Sequence, residues 1–402
     1  MVKISKFGED FLHLALQIDK HIKGYVDFYF GPQKIRQIVD NESPTSPNKL
    51  LKNSVSLIQQ IGVQGYDKER ERYLEKLLTA MKTSIEILNG TEISIKDQYM
   101  KLYDIELQPS NEFEIDNLKD EIDDAYTGPG SLEDRMANLR VMRRVPEAKV
   151  LTLFKKALSI VRKQTNKLFT NLLPEEESIS IDLVEKTNNE IKWSFYNWYL
   201  GNYHSRIEVN PKYAMYWTSF LSAASHEGYP GHHTEFVLNE RKLYVEKNHF
   251  EHSILLLHSP KLVICEGIAD LAMNVLFSYQ KSAEISLQEL CPFSLKEESL
   301  EELIAQNKIK GKVTLFWYNL AYHALIDNWD VEELIRYAHN FEIFNEESIK
   351  NQLKLMYNPA HSLTAFSYNL GSNLIINKYG EFPSVKNFRY LLVNPILPSD
   401  LV

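Results

Sequence analysis

The stretch Ser225-His226-Glu227-Gly228-Tyr229-Pro230-Gly231-His232-His233 contains three of the twelve histidines of the chain, with an acid beside the first of them. Two histidines four residues apart on a helix reach one cation, and a glutamate next to the first addresses the water on that cation. Here His226 and His232 are six residues apart, which on a regular helix separates them by about 120° around the axis. Both bind one ion only if about two residues leave the helix. Pro230 and Gly231 suit such a break, because proline removes a helical hydrogen bond and glycine tolerates unusual dihedral angles.

The same spacing bears on the choice of the second histidine ligand. His233 requires a longer bulge than His232, so we favour His232 as the ligand. We then expect His233 either to support the site from behind or to face the substrate. His233 stays the alternative ligand at this stage.

A third ligand is predicted further along the chain, in the apolar stretch Leu262–Ala272. Within it, Glu266 and Asp270 are four residues apart and share one helix face. Two acids on a buried face need a cation, because a buried carboxylate without one is costly. We therefore expect Glu266 to bind a metal ion and Asp270 to accept the ring N–H of a ligand histidine. Two histidines, one glutamate and the adjacent acid Glu227 predict a single catalytic metal ion with an open position, with Zn²⁺ as the default and manganese or cobalt as alternatives for the same ligands.

The composition of the whole chain narrows the class of protein. A chain of 402 residues predicts two lobes, or one large helical body with a deep cleft. Its 45 lysines and arginines against 54 acids give a net charge of −9, which disfavours nucleic acids and anionic membranes as partners. Two cysteines suggest no disulfide framework, and the N-terminal residues contain no signal-peptide core. We expect a cytoplasmic protein, whose oligomeric state the sequence leaves open.

Helical periodicity runs through most of the chain, and strand signals are sparse. The clearest strand pattern is Ser205–Val209, which alternates polar and apolar residues. We predict a mainly α fold, a two-lobed helical body with a deep cleft and a small β-sheet near the metal helix. An N-terminal helical lobe at 1–172 and a metal-binding catalytic lobe at 173–402 are expected, with one continuous domain as the alternative.

Two further patterns are interpreted as structural rather than functional. The segments Asp27–Pro32 and Asp124–Pro129 share the form D-x-Y-x-G-P, and we interpret them as two similar helix–loop junctions. A cluster of aromatic residues either lines a cleft or fills a core, and the core is favoured because aromatic side chains bury large areas. That cluster consists of Trp193, Phe195, Tyr196, Trp198, Tyr199 and Tyr203.

The segment His226–His233 resembles the signature H-E-x-x-P-G-H-H of a bacterial family long labelled a domain of unknown function and grouped with the thermolysin-like gluzincin metallopeptidases. The sequence at 266–269 is similar to the family motif E-G-W-A, with Ile268 in place of tryptophan, and 266–270 is similar to the gluzincin pattern E-x-x-x-D. The segment Ile207–Pro211 resembles a family segment that ends in Val-Asn-Pro. The resemblance implies that this segment is an edge strand that pairs with the substrate backbone.

Near the C-terminus the family shows the pattern P-G-Q-A-x-x-Y-x-x-G. This chain retains Ala365, Tyr368 and Gly371, but Ser362 and Thr364 stand where proline and glutamine are usual. The resemblance implies that the Tyr368 hydroxyl donates a hydrogen bond to the oxyanion of a tetrahedral intermediate. The alternative is a tyrosine that packs between helices.

Together these patterns predict a zinc-dependent metallohydrolase, and the resemblance implies a peptidase that acts on short peptides or peptide-like substrates. Glu227 is then the general base that takes a proton from the attacking water. One alternative is a hydrolase or lyase for non-peptide amides with the same site. The other is a catalytically silent metal-binding helical protein, which Glu227 disfavours because a structural zinc has four protein ligands and no adjacent base.

Overall fold

The computed structural model describes residues 3–113, 117–184, 193–291, 298–341, 344–357 and 367–402, and at 367–369 it describes the backbone alone. The described chain is mainly helical and contains one sheet of two strands and one of three. The predicted mainly α fold is therefore confirmed.

Helices form most of the N-terminal part of the chain. They are α1 (Lys6–Asp19), α2 (Gln33–Asn41), α3 (Pro47–Gln60), α4 (Lys68–Leu88), α5 (Ile95–Tyr103), α6 (Leu118–Ala125), α7 (Leu132–Arg143) and α8 (Glu147–Leu168). Polar side chains start several of them: Ser5 caps α1 by accepting a hydrogen bond from the backbone of Gly8, and Asp67 caps α4 in the same way. Apolar residues such as Phe11 and Leu74 are then fully buried between these helices.

The predicted metal ligands lie on three helices in the middle of the chain, α9 (Phe220–Glu227), α10 (His232–Leu238) and α11 (Pro260–Leu276). Between α9 and α10 the helix is broken at 228–231, as the spacing of the two histidines predicts. At this break the N–H of Gly231 donates to the carbonyl of Ser225 at 3.0 Å. A Cβ atom on Gly231 would lie 2.1 Å from the His226 carbonyl oxygen, so only glycine fits here.

The C-terminal part is also helical, and long apolar faces pack it against α5 and α6. Its helices are α12 (Tyr279–Ile285), α13 (Leu300–Leu325), α14 (Val331–His339), α15 (Glu346–Met356), α16 (Ser367–Tyr379) and α17 (Val385–Val393). In the described part of the chain no single helix has the length and apolar character of a membrane span, although the bent pair 260–276 and 279–290 meets those criteria on length and composition alone.

Two small sheets border the three helices that carry the predicted metal ligands. In the first, β1 (Val26–Tyr29) pairs antiparallel with β5 (Ile254–Leu256). In the second, β4 (His204–Val209) lies between β2 (Ser178–Leu183), to which it is parallel, and β3 (Phe195–Gly201), to which it is antiparallel. The strand predicted at 205–209 is confirmed as β4.

Two predictions about strands are wrong. The segment 207–211 was expected to supply an edge strand, but β4 is the central strand of its sheet, with β2 and β3 bonded to its two sides. The segment 27–32 was interpreted as a helix–loop junction like 124–129. It instead begins within β1, because the distant strand β5 offers a hydrogen-bonding partner that local periodicity does not reveal.

Residues on both sides of the predicted boundary at 172/173 share hydrophobic clusters. The ring of Phe11 on α1 packs edge-on against Phe250, with 5.4 Å between the ring centroids. Tyr99 on α5 belongs to one buried cluster with Val263 on α11 and Phe316 on α13. The division into two lobes stays a prediction.

Helices α11 and α16 cross with their backbones in contact. A Cβ atom on Gly267 would lie 2.4 Å from the carbonyl carbon of Gly371, and one on Gly371 would lie 1.9 Å from the carbonyl oxygen of Val263. Real Cβ atoms do not approach this closely, so both positions need glycine. Because Gly267 follows Glu266 directly, this crossing also fixes where Glu266 lies.

We predict that Gly267→Ala destabilises the protein by about 1–3 kcal/mol, since the added methyl group forces α11 and α16 apart. Gly311→Ala is the matched control. Gly311 lies inside α13, and nothing lies within 4 Å of the Cβ that it would gain. In the control the higher helix propensity of alanine should raise stability by about 0.4–1 kcal/mol. Urea denaturation of both variants measures the difference, and equal effects of the same sign would contradict the close crossing.

Candidate metal centre

Three helices direct acids and histidines into one cavity of about 590 Å³. His226 and Glu227 come from the last turn of α9, His232 from the first turn of α10, and Glu266 from the middle of α11. All four side chains line the cavity. The predicted ligands and the predicted base, separated in sequence, are therefore brought together.

The distances between the three predicted ligands fit one metal ion. His226 Nε2 lies 3.6 Å from Glu266 Oε2, and His232 Nε2 lies 3.6 Å from Glu266 Oε1. Both distances are too long for hydrogen bonds. Two ligand atoms bound tetrahedrally to one zinc at about 2.0–2.1 Å lie about 3.3 Å apart, close to what is found here. Donor atoms of all three residues lie within 4.8 Å of one another.

Asp270 lies one turn after Glu266 and orients the first histidine. Its Oδ1 is 3.3 Å from Nδ1 of His226, and the Ser372 hydroxyl on α16 donates to its Oδ2 at 3.5 Å. Burial lowers the pKa of His226, but the hydrogen bond with Asp270 and the charges of Glu227, Asp270 and Glu266 outweigh it and raise that pKa to about 9. With Nδ1 directed at Asp270, Nε2 is directed at Glu266, which is the arrangement predicted for a ligand histidine.

His232 is held in the form that binds metals. Its ring stacks on Phe236 with centroids 5.4 Å apart. Burial, and after it the charge of His226, lower the pKa of His232 well below its ordinary value. A neutral imidazole offers a free lone pair, so His232 is a competent ligand at neutral pH.

His233 points away from this cavity. Its side chain is completely buried, with Nδ1 2.8 Å from the Ser205 hydroxyl and Nε2 2.8 Å from Glu177 Oε2. The Tyr229 hydroxyl donates to the same carboxylate oxygen at 2.6 Å. His233 therefore neither faces a substrate nor contacts His226 or Glu266. It joins α10 to β4 and to the segment before β2, and His232 is the histidine that converges with the other donors.

Glu227 is nearly buried on the cavity wall. The amide of Asn197 on β3 donates to the backbone carbonyl of Glu227 at 2.5 Å and holds the end of α9. Burial raises the pKa of the Glu227 carboxyl, and the charge of His226 opposes that effect. A carboxylate with a raised pKa beside a cation site is suited to accept and return a proton.

Tyr368 lies in the first turn of α16, and its side chain is outside the described residues. Ser362, Thr364 and Ala365 of the same motif are also outside them. The hydrogen bond assigned to Tyr368 stays a prediction.

Sequence reasoning missed Asp27 and Tyr196. Both line the cavity, and the Tyr196 hydroxyl donates to Asp27 Oδ1. Burial raises the pKa of Asp27, and the hydrogen bond from Tyr196 opposes the shift. Two signals pointed to these residues: the D-x-Y-x-G-P motif that begins at Asp27 and the aromatic cluster. The core interpretation of that cluster holds for Tyr199 and is wrong for Trp193 and Tyr196, which line the cavity. Phe195 does both, because it lines the cavity and packs against the buried Phe154 and Phe220.

A second group with metal-ligand chemistry consists of His249, Glu251 and His252, whose donor atoms also lie within 4.8 Å of one another. Arg70 occupies both oxygens of the Glu251 carboxylate, through Nε at 2.8 Å and Nη2 at 2.8 Å. The guanidinium already neutralises this carboxylate, so a cation would compete with a buried, bidentate ion pair. The carboxylate of Glu266 has no such competitor among the described residues.

No family model matches the sequence, and no curated protein matches it. Among solved structures, the chain is similar to one from Colwellia psychrerythraea described as a candidate lipoprotein, with a TM-score of 0.51 and 14% identity over 92% of this chain and 68% of that one. A candidate lipoprotein of unknown function from Shewanella oneidensis gives a TM-score of 0.48 and 11% identity, over 88% of this chain and 71% of that one. At such identity the first likeness concerns the fold alone.

Acid should destabilise the protein partly through His258, which lines the cavity. Burial lowers the pKa of His258 to about 4. In the unfolded chain His258 takes up a proton near pH 6.5, whereas in the folded chain it does so only near pH 4. The free energy of unfolding therefore falls as the pH drops from 6.5 towards 4, by up to about 3 kcal/mol. We predict that His258→Gln shows a shallower loss of unfolding free energy over this range. Chemical denaturation at several pH values tests this, and parallel curves for variant and wild type would refute it.

Proposed function

We propose that this protein is a zinc-dependent peptidase for short peptides and a member of the family with the signature H-E-x-x-P-G-H-H. One Zn²⁺ would be held by His226, His232 and Glu266. The observation that carries the proposal is the convergence of these three donors at ligand spacing, with the free acid Glu227 on the same cavity wall. A purely structural site would need a fourth protein ligand in place of that acid.

Zinc in such a site acidifies water and polarises the scissile carbonyl. Glu227 takes a proton from the attacking water and returns it to the amine nitrogen as the C–N bond breaks. Asp270 keeps the imidazole of His226 in one orientation throughout. Tyr368 is proposed to donate to the carbonyl oxygen as negative charge develops there.

Short, extended peptides suit the shape of the site. The cavity of about 590 Å³ lies in the range of sites for small ligands. Phe195, Tyr196 and Asn197 of β3 line it, and β3 is an edge strand of its sheet in the part of the chain described. An edge strand offers main-chain groups to an extended peptide. The role that the family resemblance gave to β4 thus passes to β3 in this proposal.

The location of the protein and its lack of nucleic-acid and membrane partners stay predictions. The description of the Colwellia psychrerythraea chain as a candidate lipoprotein suggests membrane attachment as the alternative for this chain. Fractionation of cells that produce the protein, followed by immunodetection, distinguishes the two locations.

We predict that the purified protein binds one zinc ion per chain and that His226→Ala, His232→Ala and Glu266→Ala each lose it. His233→Ala is the matched control, because it removes the neighbouring imidazole without touching the three donors. Plasma mass spectrometry measures the metal, and circular dichroism establishes that each variant is folded. Zinc retained by folded His232→Ala and lost from folded His233→Ala would transfer the ligand role to His233.

We predict that Glu227→Gln retains zinc and lowers the rate of peptide hydrolysis by about 10²–10⁴-fold, since the amide cannot take the proton of the attacking water. A peptide library with mass-spectrometric detection measures the rate, and a parallel set of N-acyl amides tests the alternative substrate class. Full peptidase activity in zinc-loaded Glu227→Gln would reject Glu227 as the base. Cleavage of the acyl amides alone would replace the peptidase by an amide hydrolase.

A further inference from the structure

Asp27 enters the cavity because of an irregularity in β1. Val26 pairs with Leu256 and Phe28 pairs with Leu255, so β1 has one more residue than β5 between these two pairs. The extra residue is Asp27. A bulge of this kind redirects a side chain and is common beside active sites. Here it leaves Phe28 buried against Phe236 while the neighbouring carboxylate lines the cavity.

The Asp27 carboxylate has no cationic partner among the described residues. Its Oδ1 accepts a hydrogen bond from the neutral hydroxyl of Tyr196. None of the described residues that line the cavity is a lysine or an arginine. A partly desolvated carboxylate without a cation is costly to keep, so a ligand that brings a positive charge gains from this position.

The sum of the charges in the cavity also favours a positively charged ligand. Asp27, Glu227 and Glu266 contribute three carboxylates to its wall. A divalent ion held by His226, His232 and Glu266 offsets two of these charges, and one remains. A single ammonium group beside Asp27 balances it, whereas a substrate carboxylate would be repelled.

We infer that Asp27 binds the free α-amino group of the substrate, so that the protein cleaves short peptides from their N-terminus. This inference rests on the proposed peptidase function. Phe236, Leu255, Leu262 and Val263 on the cavity wall favour an apolar or aromatic residue next to that amine. A blocked N-terminus or the interior of a long chain would bring a neutral amide to Asp27 and leave the carboxylate uncompensated.

The first experiment compares the tripeptide Phe-Ala-Ala with its N-acetylated form, using zinc-loaded wild-type protein. We expect hydrolysis of the free-amine peptide only. Asp27→Asn should lower kcat/KM for that peptide by about tenfold to a hundredfold, because a charged partner of the ammonium group is lost. Asp40→Asn is the control: Asp40 lies on α2, is well exposed and pairs with Arg36. Its kcat/KM should equal that of the wild type.

Binding supplies a readout that does not depend on turnover. Zinc-loaded Glu227→Gln should bind phenylalaninamide at least tenfold more tightly than N-acetylphenylalaninamide in calorimetry, and Asp27→Asn in that background should remove the difference. Tyr196→Phe keeps the charge of Asp27 and should retain most of the preference, which covers the case in which Asp27→Asn does not fold.

The outcomes separate the inference from the function on which it rests. Equal cleavage of the free and acetylated peptides would overturn amine recognition and leave the peptidase standing. Cleavage of neither peptide by zinc-loaded protein would count against the peptidase, and the binding comparison would then decide amine recognition alone. Equal binding of the two amides would overturn it.

Discussion

The backbone contact between α11 and α16 is the constraint on which the site depends. Two glycines, Gly267 and Gly371, let these helices approach more closely than any Cβ atom permits. The contact fixes the rotation of α11, which carries Glu266 and Asp270. It also places Ser372 against Asp270, and Asp270 in turn orients His226. A shift of α11 by a fraction of an ångström would therefore move one donor and misorient a second, so glycine at 267 is a requirement of the site as well as of packing.

Beside this crossing the protein gathers carboxylates whose negative charge is compensated only in part, by His226. Glu227, Glu266 and Asp27 share one partly desolvated cavity with three histidines, and none of the described residues that line it is a lysine or an arginine. The buried Glu251 shows how the same chain treats a carboxylate with a structural role, because Arg70 takes both of its oxygens. Arg70 neutralises Glu251, whereas none of the described residues that line the cavity is a lysine or an arginine that could do so for Asp27, Glu227 or Glu266. This contrast supports the proposal that the cavity takes ligands with positive charge.

The parts of the site and of the fold that depend on residues close together in the sequence could be predicted. A separation of six residues with Pro230 and Gly231 between the histidines requires a broken helix, and α9 and α10 meet at such a break. Glu266 and Asp270 share a helix face because a turn of helix spans about 3.6 residues. The alternating pattern of 205–209 identified β4 because successive side chains of a strand point to opposite faces. In each case the periodicity of one element settles which residues lie together.

The features that depend on pairing between distant segments could not be predicted from the sequence. Alternation reveals a strand but not its neighbours, so it offered no check on the edge position that the family resemblance implied for β4 and that β3 holds. The misassignment of Asp27 has the same origin. Its D-x-Y-x-G-P motif matches one that begins in the last turn of α6, yet only the first motif meets β5 and becomes a bulged strand. The bulge exists because β1 and β5 differ by one residue between paired positions, a property of two segments together. The direction that such a mismatch gives to a side chain depends on both strands, and for that reason the placement of Asp27 in the cavity is harder to predict from the sequence than the convergence of His226, His232 and Glu266.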